Sequence, residues 1–164
     1  MIFPSSLNDN AHALLETYRQ AGKMLSTAES CTGGLISALL TEIAGSSAVV
    51  ERGFVTYSNE AKMETLGVPE KTLLDHGAVS AETAAAMAEG ALAHSRADVA
   101  VSVTGVAGPG GGSVEKPVGL VYFGLARPGE VATTERHVFP GGRSEIRLAA
   151  VEAALLLLRR GLET

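Results

Sequence analysis

The segment that most constrains this chain is the apolar run Val99-Ala100-Val101, continued by Ser102-Val103-Thr104. A strand covered on one face alternates apolar and polar residues. This run is nearly continuous, as in a central strand buried on both faces. A second strand is expected over 118–126. Arg127-Pro128-Gly129-Glu130 is a turn signal, and an alternating strand is expected over 131–138, so the last two strands should pair antiparallel. Upstream, helices and strands alternate. Helices are predicted over 9–21 (Asn8 or Asp9 as cap, Gly22 as stop), over 33–44 (ended by Gly45), over 59–66 (capped by Ser58, closed by Gly67 and Pro69) and over 80–95 (capped by Ser80). Short strands are predicted over 23–28 and 53–57. Gly141-Gly142 opens a last helix over 143–160. Its Leu155-Leu156-Leu157-Leu158 run is apolar nearly all round and should be buried, a subunit contact being one way to cover it. The pattern predicts an α/β sandwich on a mixed sheet, as a single domain over residues 1–164 without internal repeats.

Composition narrows the function. A chain of 164 residues, 46% apolar and 19% charged, can bury a core and is not a disordered, charge-rich sequence. Its net charge is −5, which argues against nucleic acid as the main partner, since phosphate backbones need a basic footprint. The single Cys31 excludes an internal disulfide and a cysteine metal site, and it suits a reducing compartment. The first ten residues lack a basic stretch followed by an apolar one, so no signal peptide is expected. Residues 148–158 are too short to span a bilayer and contain Glu152. The expectation is a cytoplasmic protein without a membrane partner.

The 19 glycines ask which backbone segments need close approach or unusual dihedrals. In open α/β sheets, ligands sit beyond the carboxyl ends of the strands. Three segments fall at such ends: Glu29-Ser30-Cys31-Thr32-Gly33-Gly34, Tyr57-Ser58-Asn59-Glu60-Ala61-Lys62, and the stretch from Gly105 through Gly108, Gly110 and Gly111 to Ser113. If their strands are parallel neighbours, the three loops meet at one edge. Ser30 then has two readings. It is a helix cap, or it is a nucleophile followed by backbone N–H groups of Cys31 to Gly34 that can hold an oxyanion. Cys31 is a rival nucleophile or an inert buried thiol. No histidine lies in the three loops. Lys62, in the first turn of a helix, is either a solvated lysine or a neutral amine able to take a proton from Ser30. Tyr57 would orient or relay that proton. The glycine stretch has neither P-loop nor dinucleotide-fingerprint order and is a flexible or a ligand-cradling loop. Lys116, which ends it, can meet a carboxylate or phosphate. Arg143 and Arg147 share a helix face, as a phosphate site or as an exposed pair near Glu145.

Taken together, Thr27-Ala28-Glu29-Ser30-Cys31-Thr32-Gly33-Gly34, Gly53-Phe54-Val55-Thr56-Tyr57-Ser58-Asn59-Glu60-Ala61-Lys62, Thr104-Gly105-Val106-Ala107-Gly108-Pro109-Gly110-Gly111 and Lys116-Pro117-Val118-Gly119 closely resemble the CinA C-terminal domain family. The resemblance runs from about Leu14 to Leu156. Larger members carry an N-terminal molybdopterin-binding-like domain, and this chain resembles the stand-alone form. The resemblance implies a three-layer α/β/α fold. It also implies hydrolysis of the carboxamide of nicotinamide mononucleotide to nicotinate mononucleotide and ammonia, by a serine–lysine mechanism with no metal and no cofactor. It matches Ser30 to the nucleophile, Lys62 and Tyr57 to the catalytic lysine and tyrosine, and Gly105, Gly108, Gly110 and Gly111 to the substrate loop. Thr32, Gly33, Gly34, Lys116 and Arg143 are further candidates for holding the substrate. The expected partner is a small pyridine nucleotide, with a homo-oligomer as the expected assembly. The rival functions are a non-catalytic nucleotide-binding module, a cysteine-based amidase and a purely structural domain.

Overall fold

The computed structural model describes residues 2–163, so Met1 and Thr164 of the expected domain lie outside the described residues. The sheet is built around β1 (Leu25–Glu29), which pairs in parallel with β2 (Val50–Val55) on one side and β3 (Val99–Gly105) on the other. Antiparallel pairing then adds β4 (Leu120–Ala126) and β5 (Thr133–Val138), for the order β2-β1-β3-β4-β5. The sheet is therefore mixed, with the expected late hairpin at one end.

Alternation along β3 divides the molecule into layers. Val99, Val101 and Val103 face the larger core with α1 (Ser5–Ala21), α2 (Leu35–Glu42) and α6 (Arg143–Arg160). Ala100 joins the other core, formed with Leu66 of α3 (Asn59–Leu66), Leu73 of α4 (Glu70–His76) and Met87, Ala88 and Ala91 of α5 (Ala81–Ala93). Small residues set the second interface. A Cβ at Gly124 on β4 would lie 2.4 Å from the Ala84 carbonyl oxygen, and Ser102 Oγ donates to that same carbonyl at 2.5 Å. The alanine-rich helix thus lies almost directly on the backbone of the sheet. Tyr18 on α1 donates its buried hydroxyl to the Leu158 carbonyl and ties the first helix to the last.

Several expectations need correction. The first helix starts at Ser5 behind Pro4, and Asn8 is no cap but a buried side chain whose Nδ2 donates to the Phe3 carbonyl at 3.1 Å. The second helix is shorter than predicted. Gly33 and Gly34 have φ of 58° and 102°, outside helical space, and Ile43 is extended. The second strand begins at Val50 rather than at Gly53. Helix α4, which ends at His76, was not expected. Of the four leucines near the C-terminus, Leu155, Leu157 and Leu158 are buried within the chain's own core and Leu156 is exposed. Among the described residues, no helix is long and apolar enough to cross a membrane.

Candidate active site

Parallel pairing on both sides of β1 brings three strand ends together. Glu29 is in register with Val55 and with Val103, so the loops after β1, β2 and β3 leave the sheet at one edge. There they line a cleft of about 320 Å³ that includes Ser30, Cys31, Tyr57, Lys62, Gly105, Gly108, Gly110, Gly111 and Arg143. The sequence-predicted residues Thr32, Gly33, Gly34 and Lys116 do not line it.

Ser30 directly follows β1, and its N–H extends the sheet by donating to the Val103 carbonyl at 2.9 Å. Lys62 Nζ lies 3.2 Å from Ser30 Oγ and donates to the Thr56 carbonyl at 2.8 Å. Its position follows from local signals. Ser58 Oγ caps α3 by accepting from the Ala61 N–H at 3.0 Å, which places Lys62 in the opening turn with its stem directed inward. The lysine is only 1% exposed. Burial pushes its pKa below the usual lysine value, and among the described residues no carboxylate lines the cleft to hold the proton on. An amine with a Thr56 carbonyl on one N–H can direct its lone pair to the Ser30 hydroxyl.

The turn after Ser30 departs from the sequence expectation. Residues 31–34 are not the start of the helix, and the first-turn donors of α2 are already used. The buried carboxyl of Glu29 accepts from the N–H groups of Ile36 at 2.9 Å and Ser37 at 3.1 Å, and from Thr32 Oγ1 at 2.6 Å. Thr32 is therefore turned inward on Glu29, away from any ligand. Gly33 spends its N–H on the Ser30 carbonyl at 3.0 Å, and Gly34 is the N-cap residue of α2. Among the described residues, the N–H groups of Cys31 and Thr32 have no acceptor. Of the two, only Cys31 lines the cleft. The Cys31 thiol is buried and pushed up to about 11 by desolvation, which keeps it protonated near neutral pH.

At the mouth of the cleft, Tyr57 is 63% exposed and its hydroxyl accepts from Arg143 Nη2 at 3.2 Å. It has no bond to Ser30 or Lys62. Arg143 Nη1 also donates to the Gly108 carbonyl at 2.7 Å, joining α6 to the glycine loop. The two arginines expected to act as a pair part ways, because Arg147 turns to the carbonyls of Cys31 and Thr32. At the start of α6, the Gly142 N–H donates to Glu145 Oε2 at 2.7 Å. Lys116 Nζ donates to the His76 carbonyl at 2.7 Å and pins the far end of the glycine loop to α4. Sequence reasoning missed Thr104, whose hydroxyl bonds the Ala78 carbonyl at 2.7 Å and so places Ala78 and Val79 in the cleft wall. It also missed Glu29. The one available signal was a lone acidic residue closing the strand Leu25–Glu29, just ahead of a helix.

Among the described residues, the ionisable side chains of the cleft are Lys62, Arg143, Tyr57 and Cys31, so it is a basic site in an acidic chain. Among the described residues, no cluster of three or more His, Cys, Asp or Glu is placed to hold a metal.

A model of the CinA C-terminal domain matches residues 7–162. The chain is 52% identical over 143 residues to the nicotinamide-nucleotide amidohydrolase PncC of Escherichia coli K12, covering 87% of each. It is 54% identical over 145 residues to a CinA-like protein of Syntrophobacter fumaroxidans, covering 88% of this chain and 34% of that longer one. The chain thus spans about a third of the length of the first curated relatives it matches. The crystal structure of the competence/damage inducible protein CihA from Agrobacterium tumefaciens superposes with a TM-score of 0.95 at 52% identity, covering 98% of both chains.

Proposed function

The chain belongs to the CinA C-terminal domain family, and from that premise we propose that it hydrolyses the carboxamide of nicotinamide mononucleotide to nicotinate mononucleotide and ammonia. The name of the E. coli relative, which matches nearly end to end, supports the substrate class. One observation supports the chemistry: a buried lysine amine 3.2 Å from the hydroxyl of a serine at a strand end.

In this reading, neutral Lys62 takes the proton of Ser30 as Oγ attacks the amide carbon. The N–H of Cys31, with help from the glycine loop, holds the developing oxyanion. The tetrahedral adduct collapses with C–N cleavage, and Lys62 returns its proton to the leaving nitrogen, which departs as ammonia. Water, deprotonated by Lys62, then attacks the Ser30 ester; the acyl C–Oγ bond breaks, Lys62 returns the proton to Ser30 Oγ, and the carboxylate is freed. Arg143 and the open N–H groups of the glycine loop hold the phosphate at the mouth of the cleft. A module that only bound nucleotide would have no use for a desolvated lysine on Ser30.

The test is ammonia release from nicotinamide mononucleotide by the purified protein. Wild type should release it, Ser30→Ala should fall to background, and Lys62→Ala should lose at least about 100-fold in kcat. A folded wild type that releases none would sink the proposal, and full activity in Ser30→Ala would sink the mechanism.

A further inference from the structure

The turn that carries the nucleophile is held by a side chain from the far end of the sequence. Arg147 lies on α6, four residues beyond Arg143. Its Nε donates to the Cys31 carbonyl at 3.1 Å and its Nη2 to the Thr32 carbonyl at 3.2 Å. A planar guanidinium can serve two successive carbonyls at once, which a lysine ammonium cannot do in the same geometry. The guanidinium packs on Gly33, whose φ of 58° is what calls for glycine in this turn.

These two carbonyls belong to two of the three peptide units between Ser30 and Gly33. The third is held through the Ser30 carbonyl by the Gly33 N–H. A trans peptide is planar, so its N–H points opposite to its C=O. Fixing the Ser30 carbonyl therefore aims the Cys31 N–H, and fixing the Cys31 carbonyl aims the Thr32 N–H. Among the described residues, no other residue accepts from either N–H, and the Cys31 N–H is the one beside the nucleophile in the cleft.

We infer that Arg147 is a positioning residue for the amide-cleaving step: it locks the Ser30–Gly33 turn so that Ser30 Oγ and the oxyanion donors stay aligned, and it does not bind the substrate phosphate. The inference rests on the amidohydrolase reading above. Arg143 lines the cleft and Arg147 does not, which separates the roles of two residues on one helix face.

The test measures kcat and KM for ammonia release from nicotinamide mononucleotide in Arg147→Ala, Arg147→Lys and Arg143→Ala. Arg147→Ala should lose about 100-fold in kcat, the scale expected for a misplaced reacting group, with KM within about threefold of wild type. Methylguanidinium at millimolar concentration should restore a large part of that loss in Arg147→Ala and none in Arg143→Ala. A kcat within about twofold of wild type, or a loss confined to KM, would overturn the inference. Should Arg147→Ala not fold, Arg147→Lys carries the same test, since it keeps stem and charge but not the fork. A kcat loss at unchanged Tm supports the inference, and wild-type kcat overturns it. An inactive wild type counts against the amidohydrolase reading itself, whereas an active wild type with an equally active Arg147→Ala counts against Arg147 alone.

Discussion

At the scale of single residues, the site distinguishes two neighbouring candidates by their surroundings. Ser30 has a buried amine on its hydroxyl, whereas Cys31 has a desolvated thiol held well above neutral pH. A thiol at about 11 is a small apolar group, not a nucleophile. Cys31→Ala should therefore keep kcat within about twofold and cost about 1 kcal/mol of stability from the lost packing. Ammonia release and the thermal midpoint would check both. A folded Cys31→Ala protein at background activity would move the nucleophile to the cysteine. Ser30 and Lys62 were legible in the sequence as residue types at loop positions, but the burial of Lys62 was not. Exposed lysines are the rule, and only the placement of α3 beside the loops after β1 and β2 overrides it. Thr32 shows the opposite failure. It reads as a ligand contact, yet its hydroxyl belongs to the Glu29 carboxyl, a partner three residues earlier whose inward position depends on the whole β1–α2 junction.

At the scale of elements, legibility followed the strength of the local signal. The alanine-rich segment after Ser80 and the long segment after Gly142 carried caps and stops, and both helices are present. The seven residues of α4 lie between Pro69 and Gly77 and have too little length to show a helical period. What no periodicity could reveal is why α5 is made of alanine. The reason is the distance between helix and sheet, set by Gly124 beneath the Ala84 carbonyl. Gly124→Ala would place a methyl 2.4 Å from that backbone oxygen, so α5 or β4 must shift. Destabilisation of about 2 kcal/mol is expected from such overpacking, measured by urea denaturation. Because Thr104 on the neighbouring β3 anchors Ala78 in the cleft wall, a rise in KM should accompany it. Unchanged stability in Gly124→Ala would show that the helix has room to move, contrary to this close packing.

At the scale of the whole molecule, the strand order does what no single motif can. Three loops separated by up to about eighty residues meet because β1 lies between two parallel neighbours. That meeting also brings a lysine into a place without a carboxylate partner. Burial lowers the Lys62 pKa in the native protein. Between that lowered value and the ordinary lysine value of about 10.4, the unfolded chain holds a proton that the native chain has released. Stability then rises with pH through this window, and below it the native state carries the cost of a buried ammonium. The same desolvation makes the amine a base, so a cost in stability and a gain in reactivity have one cause. Lys62→Met removes the titrating group while keeping an unbranched side chain. The Tm of Lys62→Met minus that of wild type should therefore be highest on the acid side of the window and should fall steadily as pH is raised towards about 10. Other titrating groups cancel in this difference. Over the same range, wild-type kcat/KM should rise as Lys62 loses its proton. A Tm difference that is flat or rising with pH would mean that Lys62 is not desolvated, and the case for it as the base on Ser30 would fail.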